Sequence, residues 1–549
     1  MAVWTASWFP SLPLDVLHLV GVLAQPSDLC SMLQVSRALN KALTPILYFN
    51  IELDAWDPIL KCITTLNSKS AYVRSLVIKR PAARSPSYVQ LGAKAAIADA
   101  LLNVLPLMVN LKHFSSSIGL GPRSSDIFCL LATGSCASLQ TIELQVLDDV
   151  PTALESTEPD EIESLALQVP PNLRRLALEL PMGSSAHWQR SFVRHLLRTC
   201  APTLRTLSIT IDDYVTGIWD HFLPPDADFV HLENLGIEYE ALSHPSLLRA
   251  VNVCSLKLSG ARVPSGPINP LSAEILPSLR SLSCPAELVA AFLHPDTDRC
   301  RPIATVCIGN ASYRSSAERD HSWNRPDPSG WRNVFTSLQH LRYSAVPVTS
   351  LTVDVVSIPL AGVHAAHWQP YLATLESLDI VYHRGYTKDP LSCQLASELV
   401  AHLPRLHTLL ISRAPPERKC FVPLDEEESM VAEALQLSRK MVYEFKSRSA
   451  LRRFALSTAI EWHKDDDGWR WVGDRARYGE LGGHLDDPDY QDGSSEYDGE
   501  AEDERDGVDE GYEDEREDVD PGNGDEREDV DSESELEAPE DTRFLPVDV

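Results

Sequence analysis

The sequence LRTLSI, at residues 204–209, returns in variant form along most of this chain of 549 residues. LRRLAL at 173–178, LESLDI at 375–380 and LHTLLI at 406–411 keep the same order, L-x-x-L-x-[LI]. Alternate side chains of a β-strand lie on the same face, so the last two apolar positions predict a short strand with one buried face. The motif is therefore typical of a fold in which many short strands share one core.

The repeats have an irregular period. The residues expected at the strand centres lie 21 to 45 positions apart and are Leu76, Phe114, Ile142, Leu176, Leu207, Leu235, Leu256, Leu282, Val306, Leu341, Leu378, Leu409 and Phe454. Several copies follow a helical pattern, as at 97–105, 188–199 and 393–403. One strand and one helix per unit at this period is typical of a leucine-rich-repeat solenoid. We predict an irregular α/β solenoid of this kind over residues 54–473, without the Asn or Cys ladder usual after the strand.

Polar residues alternate with the leucines and are expected on the concave side of the solenoid. The candidates for contact with a target protein are Glu179, Thr210, Glu238, Arg342, Asp379 and Ser412. The alternative is that these residues form an ordinary solvated face. A Trp-rich segment at 462–471 also has two interpretations, because aromatic residues dominate binding hot spots but equally pack over the end of a repeat array.

Residues 9–53 precede the repeats and have a different pattern. Apolar residues from Val16 to Leu23 recur at helical spacing, and Pro26 is expected to end this first helix. Ser27 is the expected N-cap of a second helix, and Pro45 is expected to end a third. Because so short a segment cannot bury enough apolar surface to fold well alone, we expect it to dock on a partner.

This order of signals resembles an F-box, the docking module of substrate receptors in SCF-type cullin-RING ubiquitin ligases. The match runs without a gap from LPLDVL at 12–17 through PSDL at 26–29 to VSR at 35–37. The resemblance implies a helical module at 9–53 that binds the small adaptor subunit of the ligase. The residues implied for this contact are Leu12, Pro13, Val16, Leu17, Val20, Leu29, Leu33 and Val35. The repeats resemble those of fungal-type F-box proteins.

The segment departs from the F-box pattern at Gly21 and Ala24, where large apolar residues are usual. Since Gly inside a helix costs about 1 kcal/mol relative to Ala, we expect the first helix to be weak until bound. Two other interpretations exist. The lack of any Lys or Arg before Arg37 argues against a secretory signal peptide. A simple N-terminal cap on the solenoid is compatible with docking through the other side.

The formal charge of −31 is concentrated at one end of the chain. Residues 482–549 hold 30 Asp and Glu against 4 Arg, a net charge of −26, which leaves −5 for residues 1–481. An eleven-residue unit beginning DER recurs at 503–513, 514–524 and 525–535. Low apolar content with high like charge predicts a disordered acidic tail over 474–549. The tail either binds a basic partner protein or only keeps the chain soluble.

Eleven cysteines without C-x-x-C spacing, and no apolar run of 18 residues, predict an intracellular protein of the cytoplasm or nucleus. The sequence has no phosphate-binding loop, no GxSxG or HExxH motif and no Cys–His set with metal spacing. We therefore predict no enzyme activity, cofactor or metal, and no membrane or nucleic-acid partner. The expected function is a substrate-recognition adaptor of an SCF-type ligase. The alternative is a repeat scaffold or chaperone-like protein whose acidic tail holds basic partners.

Overall fold

The computed structural model describes residues 13–79, 87–120, 123–145, 169–181, 187–212, 218–258, 269–295, 300–309, 334–355, 369–382, 390–413, 438–439, 441–442, 445, 450–456, 460–466 and 468–472. The predicted acidic tail and Leu12 lie outside these residues. Two predictions, the disorder of the tail and the contact by Leu12, therefore stay predictions.

One sheet of sixteen strands runs through the described part of the chain, with its strands side by side in chain order. The strands are β1 (Asn50–Leu53), β2 (Ser75–Ile78), β3 (His113–Ser116), β4 (Thr141–Gln145), β5 (Arg175–Pro181), β6 (Thr206–Asp212), β7 (Asn234–Ile237), β8 (Ser255–Leu258), β9 (Ser281–Pro285), β10 (Thr305–Gly309), β11 (Ser350–Val355), β12 (Ser377–Tyr382), β13 (Thr408–Arg413), β14 (Arg453–Ala455), β15 (Glu461–Lys464) and β16 (Trp469–Trp471). Strands β1 to β14 are parallel, and β15 and β16 return antiparallel.

Helices connect many of the parallel strands. Those with described bounds are α1 (Leu14–Leu23), α2 (Pro26–Val35), α3 (Arg37–Leu47), α4 (Trp56–Thr65), α5 (Ser87–Val104), α6 (Ser124–Ala132), α7 (His187–Cys200), α8 (Trp219–Phe222), α9 (Pro245–Leu248), α10 (Val289–Phe292), α11 (Gln369–Leu372) and α12 (Pro390–His402). The helix length falls from 18 residues in α5 to a single turn in α8, α9, α10 and α11. The repeats therefore differ mainly in how they cover the same strand.

Each parallel strand places one buried side chain at the same register. This row is Ile51, Leu76, Phe114, Ile142, Leu176, Leu207, Leu235, Leu256, Leu282, Val306, Leu351, Leu378, Leu409 and Phe454. The helices pack on the same side, for example through Ile97, Leu101 and Phe128. A continuous core between one sheet face and the connecting segments confirms the prediction of a mixed α/β, solenoid-like fold.

A ladder of backbone hydrogen bonds joins each repeat to the next, just before the strands begin. The carbonyl oxygen of Arg174 accepts from the amides of Arg205 and Thr206 at 2.8 and 3.0 Å, and Arg205 then does the same for the next repeat. The accepting carbonyls belong to Phe49, Arg74, Lys112, Gln140, Arg174, Arg205, Glu233, Cys254, Arg280, Ala304, Thr349, Glu376 and His407. This carbonyl ladder continues the parallel hydrogen-bonding pattern to the residue before each strand, and in each repeat it satisfies one carbonyl and two amides.

The prediction that Leu341 lies at the centre of a strand is wrong. Leu341 is buried, but it begins a single turn of 3₁₀-helix at Leu341–Tyr343, and the strand of this repeat is β11, ten positions later. Its centre, Leu351, pairs with Val306 and Leu378. The preceding Val348 supplies the first position of the motif, so VTSLTV at 348–353 was the true copy. Arg342 consequently lies off the sheet.

The helix ends of the N-terminal segment differ from those expected from the sequence. Residues 50–53, the last of the predicted module, form β1 and pair in parallel with β2. Pro45 does not end the third helix, since α3 continues to Leu47 with Pro45 inside its last turn. Pro26 is the first residue of α2, which leaves Ser27 inside the helix instead of at its N-cap. Proline is tolerated at a first helical position because that amide has no partner within the helix.

The Trp-rich segment closes the C-terminal end of the sheet. Trp462 on β15 and Trp471 on β16 are buried, and the Trp462 indole Nε1 donates to Ser438 Oγ at 3.0 Å. The hairpin packs on the last parallel strand, where Arg453 Nε lies 2.7 Å from Glu461 Oε1. These contacts favour the packing interpretation of the segment over a hot-spot interpretation.

Arg301 is a buried cation between β9 and β10. In the described part of this connection, a 3₁₀ turn at Ala286–Leu288 is followed by the one-turn helix α10. The Arg301 side chain is 2% exposed, and it donates to backbone carbonyls at both ends of the preceding repeat. Nη1 donates to Phe292 O at 2.9 Å, while Nε and Nη2 donate to Ile275 O at 3.1 and 2.9 Å. Burial lowers the pKa of the guanidinium to about 10, so it stays charged at neutral pH. The side chain therefore links the segment before β9 to the segment after it.

We expect Arg301→Met to lower the free energy of unfolding by about 3 kcal/mol, since several buried carbonyls lose their donor together. Urea denaturation followed by circular dichroism measures this change. The matched control is Arg280→Met, because Arg280 is exposed and lies in the neighbouring repeat. Equal effects of the two substitutions would contradict the assigned role.

Candidate interaction surfaces

The three N-terminal helices have a small core of their own. Leu17 of α1, Leu29 of α2, and Leu39 and Leu43 of α3 form a buried cluster separate from the core of the sheet. Ser36 caps α3, since its Oγ accepts from the amide of Leu39 at 3.2 Å. So few buried side chains stabilise a module only weakly, which agrees with the expectation that it gains stability from a partner.

Gly21 lets α1 lie close against α3. A Cβ atom at this position would lie 2.6 Å from Ile46 Cδ1 and 3.0 Å from Leu43 Cδ2. A Cβ at this position would therefore require the Ile46 side chain to move, so the lack of a side chain favours the close packing of the two helices. The intrinsic cost of Gly in a helix remains, but close helix–helix contact offsets part of it.

The opposite side of α1 is also apolar. Leu23, Val22, Leu19 and Val16 are 76%, 61%, 60% and 40% exposed. These four residues define the outer face of α1. A surface helix normally has a polar stripe on the side away from its core, whereas on α1 the exposed polar residues are Asp15 and His18, among four exposed apolar side chains. The outer face of α1 is thus the kind of surface that another protein covers.

A groove of about 420 Å³ lies where α2 meets α3. It is lined by Leu33, Gln34, Val35, Ser36, Arg37, Asn40 and Lys41. Val35 is 57% exposed beside the two basic side chains. The groove is a second candidate contact area of the module, formed by α2 and α3 without residues of α1.

The predicted docking residues separate into two groups. Leu17 and Leu29 are buried in the core of the module and are not surface contacts, while Val20 and Leu33 are half-buried. Pro13, Val16 and Val35 are exposed. The helical periodicity identified one apolar side of α1 and took it for the docking side. It missed Leu19 and Val22. The sequence feature that could have identified them is that nearly every position of α1 is apolar.

The second candidate surface is the sheet face opposite the core, here called the polar face. At the register that follows the carbonyl ladder, β6 to β13 each carry a small polar residue. We call this set the hydroxyl row, since all its members except Asn234 carry a hydroxyl group. Its members are Thr206, Asn234, Ser255, Ser281, Thr305, Ser350, Ser377 and Thr408. Neighbouring strands lie about 4.8 Å apart, so the row extends about 34 Å. It offers hydrogen-bonding groups without large side chains.

Charged residues lie on the same face of the neighbouring strands β3 to β5. Glu143 Oε1 lies 2.5 Å from Arg175 Nε, and its Oε2 accepts from Ser115 Oγ at 2.8 Å. Burial lowers the pKa of the adjacent His113, an effect that Glu143 partly opposes. Glu179 is exposed on β5 and makes no hydrogen bond or ion pair with the described residues. The polar face thus contains both an internally paired charge and an unpaired one.

The central register of β8 to β12 brings Lys257, Ser283, Cys307, Thr352 and Asp379 into one row. Asp379 Oδ1 is buried yet has no hydrogen-bond partner among the described residues. Burial is the main cause that raises the pKa of Asp379, and the charge of Asp354 adds to it, whereas Arg453 partly opposes it. A carboxylate held in this way costs stability at neutral pH.

The structure separates the predicted target-contact residues. Glu179, Thr210 and Asp379 lie on the polar face. Glu238 follows β7 and accepts from the Trp219 indole at 3.3 Å. Ser412 belongs to β13, but its side chain lies outside the described residues. With Arg342 off the sheet, the six candidates do not form one continuous site.

No protein-family model matches the chain, and no curated protein matches it either. In the part of the chain that the structure describes, every helix is too short or too polar to cross a membrane. Within the same residues, His, Cys, Asp and Glu nowhere gather into a group of three suited to a metal ion.

Gly21 and Gly92 form a matched pair for testing helix packing. Gly92 lies in α5 with no atom within 4 Å of an added Cβ. We expect Gly92→Ala to stabilise α5 by about 0.5–1 kcal/mol through helix propensity. We expect Gly21→Ala to stabilise α1 by less than this, because the Ile46 side chain must move. The larger side chain of Gly21→Leu is expected to separate α1 from α3. Amide hydrogen exchange of each helix measures these effects, and equal gains for the two Ala variants would contradict the packing.

Asp379→Asn tests the cost of the unpartnered carboxylate. The folded-state pKa lies above the unfolded value, so the ionised group destabilises the fold above that pKa, and the effect disappears below the unfolded pKa. We therefore expect the variant to be more stable than wild type at pH 7, with the difference closing as the pH falls towards the usual aspartate range. Urea denaturation at a series of pH values measures it. A variant that is less stable at pH 7 would show that the carboxylate has an unseen stabilising partner.

Proposed function

We propose that the protein is a substrate-recognition adaptor of an SCF-type cullin-RING ubiquitin ligase. The N-terminal helices bind the small adaptor subunit, and the repeats, which we assign as degenerate leucine-rich repeats, hold a target protein. Acting in the cytoplasm or nucleus, the protein raises the effective concentration of the target near the ubiquitin-loaded enzyme and contributes no side-chain chemistry of its own.

The observation that supports this proposal most is the outer face of α1. It leaves four apolar side chains uncovered on a helix whose other side is already packed against α3. A module with a separate core and an uncovered apolar helix is built to complete its fold on another protein. The order of helices and the residues at 12–37 agree with the F-box resemblance.

The adaptor contact is tested by capture of the purified small adaptor subunit on the immobilised full chain. Leu19→Glu with Leu23→Glu puts two charges on the outer face of α1, and we expect capture to fall by at least about a hundredfold. Both side chains are exposed, so the fold is retained. The matched control is Leu107→Glu with Val109→Glu, which alters two exposed apolar residues elsewhere. Unchanged capture by the first variant would exclude this docking mode.

The alternative function is a repeat scaffold that holds basic partners through its acidic tail, without a ligase. Deletion of residues 482–549 separates the two functions. If the protein that the full chain mainly binds is lost when the tail is deleted, the scaffold function is supported. If that protein is still bound, the ligase adaptor function is supported.

A further inference from the structure

Across the polar face, the type of side chain changes along the strand direction. The hydroxyl row lies where the strands begin, and it holds small neutral groups on eight neighbouring strands. The acids lie further along, with Asp379 at the central register and Glu179 and Asp354 two positions beyond that register. One edge of the face is therefore neutral and hydrogen-bonding, and the other is acidic.

The described strands of this face carry few cations. Between β5 and β13, the described basic side chains of the polar face are Arg175, which is paired with Glu143, and Lys257, which lies in the same row as Asp379. Arg453 on β14 partly opposes the rise in the pKa of Asp379. Glu179 is unpaired, and the buried oxygen of Asp379 has no partner. Glu179 is exposed, so its charge costs the free protein little, whereas the half-buried Asp379 carboxylate is disfavoured by burial. A positively charged group from outside would relieve this cost at Asp379.

The shape of the face limits the form of the ligand. Small side chains in the hydroxyl row leave an open band, and the nine strands from β5 to β13 span about 38 Å at the usual strand spacing. An extended peptide advances about 3.3 Å per residue, so about twelve residues would cross the band. The hydroxyl row would then face backbone polar groups, and the acids would face side chains.

We propose that the polar face between β5 and β13 binds an extended segment of a target protein rich in Lys or Arg, with Glu179 and Asp379 receiving basic side chains. This inference rests on the proposed function, in which the repeats hold the target, and it specifies the chemistry of that target.

The test uses the full-length chain and a synthetic twelve-residue peptide of alternating Lys and Ser. A peptide of alternating Glu and Ser is the charge control. Residues 482–549 carry a net charge of −26 and also attract a basic peptide, so affinity alone does not locate the site. Cys307 provides a local signal, because its half-buried thiol lies in the same row as Asp379.

Alkylation of each cysteine is followed by mass spectrometry at mildly alkaline pH, since burial raises the pKa of Cys307. We expect the Lys-Ser peptide to slow labelling of Cys307 while leaving the exposed Cys30 unchanged, and the Glu-Ser peptide to slow neither. In the double variant Glu179→Gln with Asp379→Asn, we expect that about ten times more Lys-Ser peptide is needed to protect Cys307 from labelling. The control variant, Glu240→Gln with Glu274→Gln, changes two exposed acids outside the sheet. We expect the peptide to protect Cys307 in this variant as it does in the wild type.

Unchanged labelling of Cys307, or equal protection in the two double variants, overturns the inference. Capture of the adaptor subunit is measured on the same proteins. If capture persists while Cys307 is not protected, the ligase function stands and the target contact is of another kind. If protection is seen but capture is absent, the basic-segment site stands and the ligase function fails.

Discussion

The carbonyl ladder is the interaction on which the rest of the fold depends. In each repeat one backbone oxygen accepts two amides from the next, at 2.7 to 3.2 Å. Because this pattern uses only the main chain, the accepting position can be Arg, Gln, Glu, Ala or His without change of register. The repeats can therefore vary in length and lose the usual side-chain ladder while their strands stay aligned. A single row of buried apolar residues then follows from the fixed register.

Where the connecting helices are short, side chains link neighbouring segments. Arg301 binds carbonyl oxygens of the segments before and after β9, and it does so without a described carboxylate partner. At the C-terminal end, the hairpin of β15 and β16 covers the last parallel strand with buried tryptophans. Both devices preserve the same sheet at positions where the repeated motif alone would leave polar groups or an open edge exposed.

The two candidate surfaces differ in their chemistry and in the cost of leaving them uncovered. The outer face of α1 exposes apolar area on a weakly stabilised module, so its partner contributes through burial. The polar face keeps the Asp379 carboxylate, which burial disfavours, so the basic partner proposed for this face would contribute through charge. A chain with one surface of each kind can hold two proteins at once, because the surfaces do not compete for the same ligand. This is the physical basis of the adaptor function proposed above.

Local sequence was enough to predict the positions of most parallel strands, because L-x-x-L-x-[LI] imposes both a period of two and a buried face. It predicted the central residue of nearly every parallel strand, and it failed at Leu341 only because a second apolar copy followed ten positions later. It also identified the helical module, but not which side of α1 is free. Tertiary structure decided that, since Gly21 lets one apolar side reach α3 and leaves the other uncovered. The unpartnered state of Asp379 and the link made by Arg301 likewise depend on neighbours from other repeats, which no local pattern contains.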